Sequence, residues 1–97
     1  MIILYIDLFS VASALRNGNN NYLEMIEAIR GHIDQPRLLV RQIAHDPRMS
    51  KERRIAAATH NIDKAIGTND PREYTQCLRY AIQYIQGLHF LQLAEED

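Results

Sequence analysis

The side chains best suited to chemistry are scattered along this chain. The histidines are His32, His45, His60 and His89, separated by 13, 15 and 29 residues. No two of them have the i, i+4 spacing that places two imidazoles on one helix face to bind a metal ion. The single cysteine, Cys77, has no second thiol with which to bind a metal or form a disulfide within the chain. The sequence therefore predicts no metal site.

Nucleophilic and acid–base catalysis have little more support. Cys77 falls on the apolar arc of a predicted helix, where a small buried thiol is common. Ser10 and Ser13 lie on a helix stripe, without the sharp turn that presents a nucleophilic serine. Glu24 and Glu27 share a helix face, but this spacing is typical of a solvated flank. Because there is also no glycine-rich phosphate loop, we expect a protein that is not an enzyme and holds no cofactor.

Length and composition indicate one small folded domain, residues 1–97. The apolar share is 46% and the charged share is 24%, which is the composition of a globular chain rather than a disordered one. The net charge of −1 gives no overall attraction to nucleic acid or to an anionic membrane. No apolar run reaches the ~18 residues of a membrane span, so we expect no membrane association.

The predicted location is the cytoplasm, because a lone cysteine suits a reducing compartment. The apolar run from Ile2 to Phe9, followed by small residues at positions 12–14, has two features of a secretory signal peptide. However, no lysine or arginine precedes that run, and Asp7 interrupts it. We therefore predict that the chain does not start with a signal peptide.

Charge is distributed unevenly along the chain. The stretch from Arg16 to Arg79 holds 19 of the 23 charged side chains. We therefore expect both ends to be apolar core helices and the middle to face water. The first helix is predicted over residues 2–17, with Phe9 among its buried residues, and the last over residues 71–94. A strand at residues 2–6 is the alternative, since β-branched residues are dense there, but no second strand is predicted to pair with it.

Turn and capping residues delimit the predicted helices. Gly18 suits the left-handed turn after the first helix. Asn21 and Glu24 predict a capping box for a second helix, which would bury Leu23 and which Pro36 would end or kink near residue 34. A short third helix is predicted over residues 36–45.

A fourth helix is predicted over residues 50–66, with Ser50 as its N-cap and Ala58 on its inner face. Asp70, followed by Pro71 and Glu73, has the pattern of a cap, a first-turn proline and a capping-box acid at the start of the last helix. The fold class that follows is all-α. We expect a compact bundle of four to five helices built around the N- and C-terminal helices.

Four apolar side chains fall outside the predicted buried faces and are candidates for partner binding. Ile3 and Ile6 lie on the polar side of the first helix, Phe90 lies in the glutamine stripe of the last helix, and Tyr80 lies at the border of that stripe. Aromatic anchors in a surface of low charge are typical of protein interfaces. These four residues predict a complex with another protein, or a homodimer that shares the same helices.

Two charged surfaces are further candidates. Segment 37–54 holds six cations and two acids, whereas the rest of the chain holds five cations and ten acids. The acidic candidates would suit a basic target such as a nuclease, and they are Asp63, Asp70 and Glu73. The basic candidates would suit an acidic target, and they are Arg37, Arg41, Arg48, Lys51, Arg53 and Arg54. The apolar, acidic and basic surfaces are alternatives at this point.

The leading hypothesis for function is a non-catalytic protein-binding module. In size and fold class it is similar to bacterial immunity proteins, antitoxins and anti-activators, which inhibit or regulate by covering a partner's surface. The alternative is a small nucleic-acid-binding regulator, because helices 36–45 and 50–66 could form a helix-turn-helix in the basic segment. Pro47 in the break and the alanine-rich second helix disfavour that reading. A structural subunit of a larger assembly is a third possibility and predicts self-association.

Overall fold

The computed structural model describes residues 8–33 and 48–96, which form four helices. These are α1 (Leu8–Arg16), α2 (Tyr22–Arg30), α3 (Lys51–Gly67) and α4 (Pro71–Glu96). The described residues contain no strand, and the radius of gyration is 13.0 Å, about that of a compact domain of 100 residues. The predicted all-α bundle is confirmed. The alternative strand at residues 2–6 and the predicted helix 36–45 lie outside the described residues.

The helices are arranged as a closed ring around one core. α1 packs against α3 and α2, and α4 packs against the same two helices. Within the described residues no close backbone contact joins α1 to α4, so these two helices face each other across the core. Both contribute buried side chains to one cluster. The predicted bundle built around the terminal helices is therefore present, with α2 and α3 completing it.

α2 and α3 both run antiparallel to α4. Near the start of α3, Arg54 lies against Gly87 in the second half of α4. At the other end, Thr68 follows α3 and donates a 3.1 Å hydrogen bond to Glu73 in the first turn of α4. For α2, the first residue lines a hollow with the C-terminal half of α4. The segment just after α2 lies beside the first turns of α4, where His32 Nδ1 is 3.3 Å from the Tyr74 hydroxyl.

The core draws on all four helices. Its largest fully buried side chains are Val11, Leu15, Ile29, Ile62, Leu78, Ile82, Ile85 and Leu88. The middle of the chain contributes more than its charge suggested, because Ala58, Ile62 and Ala65 of α3 are completely enclosed. The predicted inner face of this helix, which includes Ala58, is therefore confirmed. α3 is amphipathic: its charged side chains apart from Arg54 face water, and the opposite side packs in the core.

Two apolar side chains that were predicted to be buried lie on the surface. Phe9 is 65% exposed and Leu23 is 59% exposed. α1 buries positions 8, 11, 12 and 15, and α2 buries positions 22, 25, 26 and 29. Each set follows the i, i+3, i+4, i+7 pattern of a single helix face. Phe9 and Leu23 each follow the first residue of such a set, so the helix turns them about 100° away from the core.

The predicted turn after α1 is confirmed, whereas the predicted cap of α2 is not. Gly18 has a φ of +77°, the left-handed geometry expected there. Asn21 precedes α2, but its side chain makes no capping hydrogen bond, so the predicted capping box with Glu24 is wrong. Its backbone φ of −81° and ψ of 58° depart from the extended geometry that an N-cap residue needs.

The caps of α3 and α4 were predicted more successfully. Ser50 Oγ accepts a 3.2 Å hydrogen bond from the backbone N–H three residues later, and Asp70 Oδ1 accepts one of 3.0 Å from the N–H two residues later. In a capping box, the Glu73 carboxylate would accept a hydrogen bond from the backbone N–H of Asp70. Here the Thr68 hydroxyl accepts that bond instead, at 3.2 Å, and donates to Glu73. Both helices therefore start where the sequence indicated.

Ala58→Leu is expected to lower the free energy of unfolding by about 1–3 kcal/mol, because three further carbon atoms must fit into a filled core. Urea denaturation followed by circular dichroism measures the change. The matched control is Ala56→Leu, at an exposed position of the same helix, where a change within about 0.5 kcal/mol is expected. Equal effects at the two positions would show that the inner face of α3 is not tightly packed.

Candidate protein-binding site

Nine of the thirteen candidate site residues can be placed in the structure. Arg48 lies just before α3, and Lys51, Arg53, Arg54 and Asp63 lie on α3. Asp70 lies between α3 and α4, and the α4 candidates are Glu73, Tyr80 and Phe90. The other four lie outside the described residues, and they are Ile3, Ile6, Arg37 and Arg41.

The three acidic candidates are exposed, but each is engaged in the fold. Asp63 Oδ2 accepts a 2.7 Å hydrogen bond from Arg16 Nη2 and so joins α3 to α1. Asp70 caps α4, and Glu73 accepts the hydrogen bond from Thr68. An exposed ion pair such as Arg16–Asp63 stabilises by at most about 1 kcal/mol. Asp70 and Glu73 therefore act locally at the start of α4, whereas Asp63 joins two helices that are distant in the sequence.

The basic candidates divide into surface and core residues. Arg48, Lys51 and Arg53 are exposed around the start of α3. Arg54 is only 4% exposed, so its assignment to a basic docking surface is wrong. Position 54 lies four residues before Ala58 and therefore falls on the same inner face of the helix.

Arg54 is held in place by α4 and by the chain before α3. Its Nε donates a 3.2 Å hydrogen bond to the backbone oxygen of Met49. Its guanidinium lies over Gly87, where a Cβ would come within 2.5 Å of Nη1. A glycine inside an apolar helix was the one sequence feature that could have suggested such a close approach.

The two described aromatic candidates are exposed but lie apart. Tyr80 is 39% exposed, and its hydroxyl accepts a 3.1 Å hydrogen bond from Gln76 Nε2. Phe90 is 52% exposed. Ten residues of helix separate them, which is about 15 Å along the axis. They do not form one surface by themselves.

Phe90 belongs to an apolar surface that the sequence analysis only partly identified. Its ring centroid lies 6.1 Å from that of His89. Leu93, one helical turn further on, is 46% exposed. Leu23 at the start of α2 lines the same groove as His89. We call these four residues, Leu23, His89, Phe90 and Leu93, the α2–α4 apolar surface.

Two shallow hollows lie at this end of the molecule. One, of about 230 Å³, is lined by Leu23, Glu24, His89 and Gln92. The other, of about 220 Å³, is lined by Lys51, Leu88, Leu91 and Glu95. They share Asn20, Tyr22 and Gln92 as a common wall. The start of α2 and the last turns of α4 therefore present apolar side chains beside two small recesses.

Among residues 8–33 and 48–96, no group of three or more His, Cys, Asp or Glu side chains could hold a metal ion. Cys77 is buried. None of the four helices is both long enough and apolar enough to cross a membrane. No family model matches the chain, and neither a curated protein nor a solved structure gives a significant match.

Gly87→Ala is expected to lower the free energy of unfolding by about 1 kcal/mol. The added methyl group collides with the buried guanidinium of Arg54, and overpacking costs about 1–3 kcal/mol. This outweighs the gain of about 1 kcal/mol from replacing glycine by alanine in a helix.

The sign of the Gly87→Ala effect should reverse when Arg54 is absent. In an Arg54→Ala background, the same substitution should raise the free energy of unfolding by up to about 1 kcal/mol. A double-mutant cycle measured by urea denaturation isolates the coupling between the two positions. Identical effects in both backgrounds would contradict the contact between Arg54 and Gly87.

Proposed function

We propose that this protein is a non-catalytic binding module that acts by covering the surface of another protein. The observation that carries the proposal is the α2–α4 apolar surface. Five large apolar side chains are exposed in the described residues. Two of them, Phe90 and Leu93, lie one turn apart on α4, and a third, Leu23, lines a groove with His89, the residue before Phe90. Single exposed apolar residues are common, but clustered ones mark interaction sites.

The chemistry of this surface suits a protein partner better than a small molecule. None of the four residues that define it is a carboxylate, amine or guanidinium, and they include an apolar aromatic ring, as the centres of protein interfaces do; Glu24 lines the groove beside Leu23. The two hollows, of about 220 and 230 Å³, are smaller than the ~300–1,000 Å³ of typical small-molecule sites. Recesses of this size can receive individual side chains of a partner.

Part of this surface is presented by a packed helical turn. Phe90 lies in the turn of α4 whose other side buries Leu88. Because this turn already belongs to the folded core, a partner would not have to order it on binding, which reduces the entropic cost of association. Such a preformed apolar surface suits a small inhibitor or regulator of the immunity-protein, antitoxin or anti-activator kind. The lone buried thiol of Cys77 fits action in a reducing cytoplasm.

Nucleic-acid binding is the second candidate, supported by the exposed cations Arg48, Lys51 and Arg53. It is the weaker one, because Arg54 is withdrawn into the core and Glu52 lies among the remaining cations. With three phosphate contacts, binding would weaken about 40-fold between 50 and 200 mM salt, since each contact contributes about 0.9 log units of affinity per tenfold change in salt concentration. Fluorescence anisotropy with a labelled duplex tests this. A steep salt dependence that disappears in a Lys51→Ala, Arg53→Ala variant would favour the nucleic-acid alternative.

Phe90→Asp is expected to weaken binding to a protein partner at least ~30-fold while the chain stays helical, since a central aromatic anchor contributes about 2 kcal/mol or more. The partner is identified by affinity purification with quantitative mass spectrometry, and its affinity for the purified chain is measured by calorimetry. The matched control is Gln76→Asp, the same new charge at an exposed position of α4 about 21 Å away. Equal affinities for the two variants would contradict the proposed site.

A further inference from the structure

We infer that the protein covering the α2–α4 apolar surface is a second copy of this chain. The inference rests on the proposed function, because both require this surface to bind protein, and it goes further by naming the occupant. Three observations support a second copy. They are the exposed apolar centre, the opposite charges on its two sides, and the extension of α4 beyond the start of α3.

The basic side of the surface is the start of α3. Gly87 lies one helical turn before Phe90 and contacts Arg54, so the beginning of α3 lies beside this part of α4. The exposed cations there are Arg48, Lys51 and Arg53. Two acids lie near them, Glu52 in the first turn of α3 and Glu95, which lines the same hollow as Lys51.

The acidic side of the surface is the start of α2. Glu24 is exposed, follows Leu23 in the chain, and lines the same groove as His89. Glu27, one turn further along α2, is also exposed and pairs with Arg30 at 3.1 Å. The apolar surface is therefore bordered by cations on the α3 side and by a carboxylate on the α2 side.

This charge pattern is complementary to itself. A two-fold axis that passes through the apolar surface parallel to α4 would place the basic side of one copy against the acidic side of the other, and this contact would occur twice. A partner of uniform charge would instead face like charge on one side, which disfavours association. The net charge of −1 gives two copies little overall repulsion.

The length of α4 leaves part of this surface without a neighbour from α3. α4 has 26 residues and α3 has 17, which correspond to about 39 and 26 Å. Since Arg54 is level with Gly87, the first residue of α3 is level with about residue 90. The turn containing Leu93 extends past it. A second copy would cover this exposed end with apolar side chains of its own.

Sedimentation equilibrium at several concentrations tests the inference directly. The unmodified chain is expected to show twice the monomer mass at micromolar concentrations, whereas Phe90→Asp and Leu93→Asp are expected to be monomers with unchanged circular dichroism. Phe9→Asp is the matched control, because it places the same charge on an exposed aromatic position of α1 and should leave the dimer intact. A monomer at every concentration, or a dimer unaffected by Phe90→Asp, would overturn the inference.

Charge reversal tests the two-fold arrangement. Glu24→Arg and Arg53→Glu should each weaken self-association at least fivefold, because each places like charges in contact twice. An equimolar mixture of the two variants should restore association, since every contact then joins an acid to a cation. Arg53→Glu places an acid in the first turn of α3, which the helix dipole favours, so folding is preserved. No restoration on mixing would overturn the proposed pairing of the two sides.

These outcomes separate the inference from the proposed function. If the chain is monomeric but Phe90→Asp loses a bound partner, the second copy is excluded and the binding function stands. If Phe90→Asp changes neither self-association nor partner binding, both proposals fail. If both Phe90→Asp and Leu93→Asp unfold the chain, these side chains are packed within the monomer, and both proposals fail as well.

Discussion

The packing of α3 against α4 is the contact on which the rest of the structure depends. The buried face of α3 contains two small side chains, Ala58 and Ala65. The core side of α4 likewise includes the small side chains of Cys77 and Ala81 beside larger ones. Small side chains allow two helices to approach closely, so that the larger ones beside them are fully enclosed and make many short-range contacts. This contact fixes α4, and α4 carries most of the apolar surface assigned to partner binding.

The pair Arg54–Gly87 extends this packing to the end of the molecule that carries the proposed binding surface. A buried guanidinium is costly to desolvate and is tolerated only where its hydrogen bonds are made; here Nε donates to Met49. Gly87 provides the space, although glycine weakens a helix. The buried guanidinium of Arg54 and the helical Gly87 are each unfavourable locally. Together they hold the start of α3 against the helical turn before Phe90. Arg54 is therefore part of the core, whereas the nearby Lys51 and Arg53 are exposed to solvent.

The sequence predicted the features that depend on local chemistry. Ser50 and Asp70 were correct caps and Gly18 a correct turn, because a few adjacent atoms decide each of them. The burial of Arg54 was missed because it depends on a glycine 33 positions away in the chain. Phe90 stood out in its glutamine stripe, whereas its grouping with Leu23 required knowing how α2 meets α4. Periodicity identifies the face of a helix, but it does not reveal which neighbour covers that face.

Exposure alone does not identify a binding surface in this protein. Among the described residues Phe9 is the most exposed large apolar side chain, yet the two residues that follow it at helical spacing on α1, Ser13 and Arg16, are polar. Phe90 is less exposed, but it lies beside His89 and Leu93, with a second helix contributing Leu23. Contiguous apolar area excludes water from the centre of an interface, whereas an isolated ring remains surrounded by solvent. The proposal that α4 binds a partner therefore rests on the neighbours of Phe90 rather than on its own accessibility.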